Sequence, residues 1–162
     1  MPNLPFTEPR TWSENLVAGL LADVFVGTDY EGTPVLLGMS EGKRVFPSVI
    51  VYCASAQVPG ELPEWFRTYN FQVTVLVGSQ ADNNTGSAED PQPASGLTAH
   101  REMVALVLAR LADLAAYKTA AAETGAAVYD VSVGGVMEDR EERRFGSGTS
   151  VAITAVLDLP EA

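Results

Sequence analysis

The sequence predicts an α+β fold: an antiparallel sheet with two main helices packed on one face and a closing β-hairpin at the C-terminus. Three observations predict it. Two segments repeat apolar residues at helical spacing, several runs are β-branched or alternate with period two, and their order is helix, strands, loop, helix, two strands. At 162 residues the chain fits one domain, residues 1–162. A chain of this length buries roughly 70% of the surface its unfolded form exposes, so it needs no metal or disulfide to fold.

The first helix is expected to begin at Thr11, whose hydroxyl can cap it while Glu14 completes a capping box and Pro9 blocks an earlier start. Trp12, Leu16, Leu20 and Val24, with Val17 and Leu21 beside them, form its apolar stripe. Two turn-like stretches, "DYEGTP" and "MSEGKR", flank "VLLG", a short strand expected at a sheet edge. The run "RVFPSVIVYCASA" is a strand with a Pro-rich exit, and Pro47, having no N–H, belongs at its beginning or on an edge. In "EWFRTYNFQVTVLVG" the residues Tyr69, Phe71, Val73 and Val75 line one face, and this strand should pair antiparallel with the previous one.

Residues 79–97, "SQADNNTGSAEDPQPASGL", carry almost no large apolar side chain and read as a long mobile loop. The second helix places Met103, Val104, Val107, Leu108, Leu111 and Leu114 on one face and continues through an alanine-rich stretch to a left-handed cap at Gly125. Two strand-like runs, "AAVYDVSVGGV" and "GTSVAITAVLDL", close the chain on either side of seven consecutive charged residues: Glu138, Asp139, Arg140, Glu141, Glu142, Arg143 and Arg144. These seven are the expected tip of the closing hairpin and the candidate subunit or partner contact. Exposed ion pairs contribute only about 0–1 kcal/mol each, whereas an arginine that clasps a neighbour's carboxylate at a dry interface contributes more. A solvated turn whose mixed charges discourage edge-to-edge aggregation is the competing reading.

The formal net charge of -11 argues against binding DNA or an anionic membrane. No run is long and apolar enough to span a bilayer, and "MPNLPFTEPR" lacks the pattern of a signal peptide, so a soluble protein of the cytoplasm is expected. The single cysteine, Cys53, lies in the apolar run "SVIVYCASA" and is expected to be buried and inert. No Walker loop, GxGxxG, GxSxG, HExxH or paired cysteines are present. The one histidine, His100, near the start of the second helix, reads as a surface or capping residue. Acidic groups at Asp82, Glu89 and Asp90 and in the charged block lack calcium-loop spacing, and neither a metal nor a cofactor is expected.

In element order the chain resembles the tail terminator, or tail completion, proteins of long-tailed bacteriophages, the minor tail protein U type. The resembling stretches are "TWSENLVAGLLADV", "VFPSVIVY", "YNFQVTVLVG", "AHREMVALVLARLADL" and "VYDVSVGGVMEDREERRFGSGTSVAITAVL". The segments Val58 to Trp65 and Ser79 to Leu97 are longer than the compact family pattern, which leaves a different neck or tail-tip role open. The resemblance implies a virion structural protein and not an enzyme. It also implies a ring-forming subunit, typically hexameric, whose partners are further copies of itself, the tail tube protein and the head-tail connector protein. The alternative is a small soluble enzyme or ligand-binding domain whose site is assembled from residues distant in sequence.

Overall fold

A computed structural model describes residues 8–38, 47–57, 68–80, 95–141 and 144–157. Along these the elements are α1 (Pro9–Leu21), β1 (Val35–Leu37), β2 (Ser48–Gln57), β3 (Thr68–Gln80), α2 (Ser95–Leu111), α3 (Leu114–Glu123), β4 (Ala127–Val133), β5 (Met137–Glu141) and β6 (Arg144–Val156). The fold is α+β, as the sequence predicts. The described residues form one six-stranded sheet in the order β1-β2-β3-β6-β4, with β5 also paired to β6.

The sheet is mixed rather than antiparallel, because the short edge strand β1 runs parallel to β2, pairing Val35 with Val49 and Leu37 with Val51. Every other pairing is antiparallel. Three residues are too few to show an alternation, so the direction of β1 is not written in its side chains. Pro47 stands immediately before β2, where its missing N–H costs no ladder bond. The Pro-rich segment from Val58 to Trp65 lies outside the described residues.

One hydrophobic cluster joins the helices to one face of the sheet. Trp12, Leu16, Val17, Leu20 and Leu21 of α1, Met103, Val107 and Leu111 of α2, and Tyr117 and Ala121 of α3 pack with Phe71, Val73, Val75 and Val77 of β3 and Val151, Ile153 and Ala155 of β6. The period-two set of β3 therefore meets the 3.6-period stripes of the helices. Each large apolar side chain buried this way contributes roughly 1.5–3 kcal/mol before its lost entropy is counted. Trp12 lies against Phe71 with ring centroids 5.4 Å apart, and its indole N–H donates to Thr124 Oγ1 at 3.0 Å, which fastens α1 to the end of α3.

Helix boundaries differ from the expected ones for local reasons. The α1 helix starts at Pro9, capped by Glu8, whose carboxylate accepts from the Thr11 N–H at 3.2 Å. Pro9 is no barrier there, since the first helical position has no N–H partner to lose. Glu14, freed from a capping box, instead accepts from the backbone N–H of Cys53 at 2.9 Å, next to a bulge in β2 where the pairing skips between Cys53 and Ser55. Cys53 is half-buried rather than fully buried. Burial, reinforced by the nearby Glu14 carboxylate, pushes its thiol up, so it is a poor nucleophile at neutral pH.

The second helical stretch is two helices. The chain leaves α2 at Leu111 and restarts at Leu114, with the Asp113 carboxylate accepting from the Ala116 N–H as a new N-cap. Gly125, with φ of 80°, takes the expected left-handed position after α3, and Ala126 N–H donates back to Ala121 O at 3.0 Å. The expected loop over 79–97 is shorter at both ends: Ser79 and Gln80 belong to β3, and Ser95 to Leu97 open α2. The expectation of mobility falls on residues 81–94, which lie outside the described residues.

Candidate functional site: the charged end of the closing hairpin

The closing hairpin has one long arm and one kinked arm. β6 runs unbroken from Arg144 to Val156, while its partner arm is split into β4 and β5. β4 pairs with residues 151–156 and β5 with residues 144–148. The kink falls at Gly134, whose N–H donates to Ser150 O at 2.8 Å and whose C=O accepts from Thr149 Oγ1 at 3.0 Å. A Cβ at Gly134 would lie 3.1 Å from Ser150 O, so a side chain there requires the backbone to give by a few tenths of an ångström.

Most of the charged block is strand, not turn. Glu138, Asp139, Arg140 and Glu141 are in β5, and Arg144 begins β6 opposite Glu141. Glu142 and Arg143 lie outside the described residues. Charged side chains are poor strand formers. They are tolerated here because β5 is an edge strand, and because its cross-strand partners include Gly146, Ser147 and Gly148, which are small enough not to crowd it.

The register sorts the block onto two faces. Glu138 and Arg140 stand opposite Ser147 and Phe145, on the helix-covered face, whereas Met137 and Asp139 stand opposite Gly148 and Gly146 on the other. Arg101, on the first turns of α2, reaches Glu138 with two parallel hydrogen bonds, Nε to Oε1 at 3.0 Å and Nη2 to Oε2 at 2.9 Å. Arg140 approaches the same carboxylate at 3.5 Å. The Arg101 guanidinium, with a smaller contribution from Arg140, holds the Glu138 carboxyl down to about 2. Glu138 is therefore committed within the subunit, while Asp139 and Arg140 of β5 face solvent. Beside them, Met137 is 81% exposed and Val136 is 41% exposed.

Beneath this end lies a second polar group that sequence reasoning missed. His100 is fully buried in α2, with Nδ1 2.8 Å from Ser79 Oγ of β3 and Nε2 2.8 Å from Ser147 Oγ of β6. Phe145 lies over the ring at 5.7 Å. The expectation of a surface or capping histidine is overturned: the imidazole bridges two neighbouring strands from below the helix. A neutral ring satisfies both hydroxyls, donating to one and accepting from the other. Burial holds its pKa below the ordinary histidine value, partly opposed by Glu138. A signal was present in the pattern, because the inward face of β3 continues from Val77 to Ser79 and that of β6 from Thr149 to Ser147. Two polar residues in inward register need a buried partner. The Ser–His contacts have the spacing of a nucleophile and a base, yet Ser79, His100 and Ser147 are all closed to solvent.

On the far flank of α2 the turn after α1 leaves a shallow depression of about 540 Å³, lined in part by Asp29, Tyr30, Glu102 and Leu106. The Tyr30 hydroxyl donates to the Glu102 carboxylate, and partial burial together with that carboxylate pushes the phenol up to about 12.

Among the described residues no three His, Cys, Asp or Glu side chains converge, and no helix is long and apolar enough to cross a membrane. Comparison of the sequence with protein-family models and with curated proteins finds no match.

Proposed function

We propose that the chain is a structural subunit of a phage tail, a tail terminator that closes into a ring, caps the tail tube and joins it to the head-side connector. The observation that carries this reading is the end of the closing hairpin. It brings exposed apolar side chains, Val136 and Met137, together with exposed charges of both signs on an edge strand. An edge strand kept only for solubility would carry charge without large apolar exposure. The combination suits a contact with another protein chain, with apolar area for affinity and charge for register. The acidic balance of the chain also suits a ring whose channel DNA passes without sticking.

The alternative, a small enzyme, would draw on Ser79, His100 and Ser147. Their burial favours a structural part, since substrate could reach them only if α2 lifted from the sheet.

Tube growth tests the proposed role. Added to polymerising tail tube protein from the same virion, the purified chain is expected to appear as a ring at one tube end and to stop elongation there in negative-stain electron micrographs. Bare tube ends with an unchanged length distribution contradict the proposal.

A further inference from the structure

The acceptor for the hairpin end can be sought on the same molecule. A closed ring needs two different patches on each subunit, one meeting the other on the next copy. The hairpin end and the depression at Tyr30 lie on opposite flanks of α2. Arg101 faces β5, and Val104 and Leu108 share a narrow crevice with Val136. Glu102 and Leu106 line the depression, and Arg110 reaches Leu20 O and Asp23 at the end of α1. The two patches also sit toward opposite sheet edges: β5 is on the outer side of β6, and the turn that forms the depression leads directly into β1.

Their chemistry is complementary. On the helix side the hairpin end presents the Arg140 guanidinium and exposed Val136. The depression presents Asp29 and Glu102 beside Leu106. In a chain of net charge -11, copies repel one another unless cations are placed at the contact. Arg140 is suited to that task because its intramolecular partner, Glu138, is already held by both nitrogens of Arg101.

The geometry points to a head-to-tail contact in which the hairpin end of one copy, led by Arg140 and Val136, enters the Asp29–Tyr30–Glu102 depression of the next. This deepens the ring reading and rests on it. Arg140 meets the carboxylates at the mouth of the depression, and Val136 covers Leu106.

A charge swap tests the pairing. Arg140→Glu alone and Asp29→Arg alone are each expected to raise the concentration at half-assembly, followed by light scattering, by roughly tenfold or more. The double variant is expected to return to within about threefold of the native chain, because the swapped charges pair again across the interface. Both positions are exposed, so thermal unfolding should be unchanged in all three variants. The pairing is overturned if either single variant assembles like the native chain, or if the double variant is no better than the singles. It is also overturned if the single variants still assemble but lose binding to tail tube protein, since the occupant of the depression is then that protein. Native assembly with silent swaps removes this contact and leaves the ring reading standing. A native chain that never assembles removes both.

Discussion

Replacing His100 by alanine is expected to cost about 2–5 kcal/mol of stability, the range for emptying a well-packed buried site, with the two serine hydroxyls left unpaired in addition. For a domain of this size that lowers the melting temperature by on the order of 10 °C. Among the described residues, the imidazole is the only link between α2 and the paired ends of β3 and β6 that satisfies polar groups on both strands. The same site makes stability depend on pH in a definite direction. The folded pKa lies below the ordinary value of 6.5, so between the two the unfolded chain binds the extra proton and the native chain does not. Stability is full above about pH 7.5, falls as pH drops through 6.5 toward the depressed value, and levels off below it. Glu138 acts in a separate window: its lowered pKa contributes stability that is present above about 4.5 and lost as pH falls toward about 2. Because the chain has one histidine, the imidazole ring protons report the titration without overlap in NMR spectra. A flat stability profile between pH 5 and 7.5, or His100→Ala costing under about 1 kcal/mol, contradicts this account of the bridge.

The second large effect is on assembly. Changing Arg140, Arg143 and Arg144 together to Glu is expected to raise the half-assembly concentration by on the order of 100-fold and to leave the monomer folded. Arg140 stands on an edge strand with its side chain more than half exposed, and Arg144 begins β6 at the outermost pair of the hairpin, so the central sheet register from Phe71–Ile153 to Val77–Ser147 does not depend on either charge. The Arg101–Glu138 clasp stays in place to hold the hairpin against α2. Lys118→Glu, at an exposed position on α3, controls for the added negative charge and should assemble normally. Unimpaired assembly of the triple variant, or its failure to fold, contradicts the role assigned to the hairpin end.

Most of the fold was legible because two periodicities carry it. The stripe from Trp12 to Leu21 and the alternation from Tyr69 to Val77 each need a covering layer, and they cover each other. What escaped sequence reading was decided by partners distant in the chain or by one-residue competition. Glu8 and Thr11 are both plausible caps, and Pro9 fits either as a barrier or as a first helical residue. Asp113 breaks an otherwise continuous helical pattern because its carboxylate caps α3. β5 has almost no strand propensity of its own and exists because β6 extends past β4 and offers it a template. The charged block stands out in the sequence, but not that Glu138 would be taken by Arg101, 37 residues earlier. The depression at Tyr30 left no mark in the sequence, since it is formed by a turn and a helix whose Tyr30 and Glu102 are 72 residues apart.

Sedimentation velocity of the native chain over a wide concentration range tests the central claim most directly. A tail-terminator ring predicts a discrete species several times the 17.2 kDa of one chain, whose mass stops growing once the ring closes. A chain that stays at 17.2 kDa at every concentration, with and without tail tube protein, contradicts the claim, and so does an open-ended series of ever larger species.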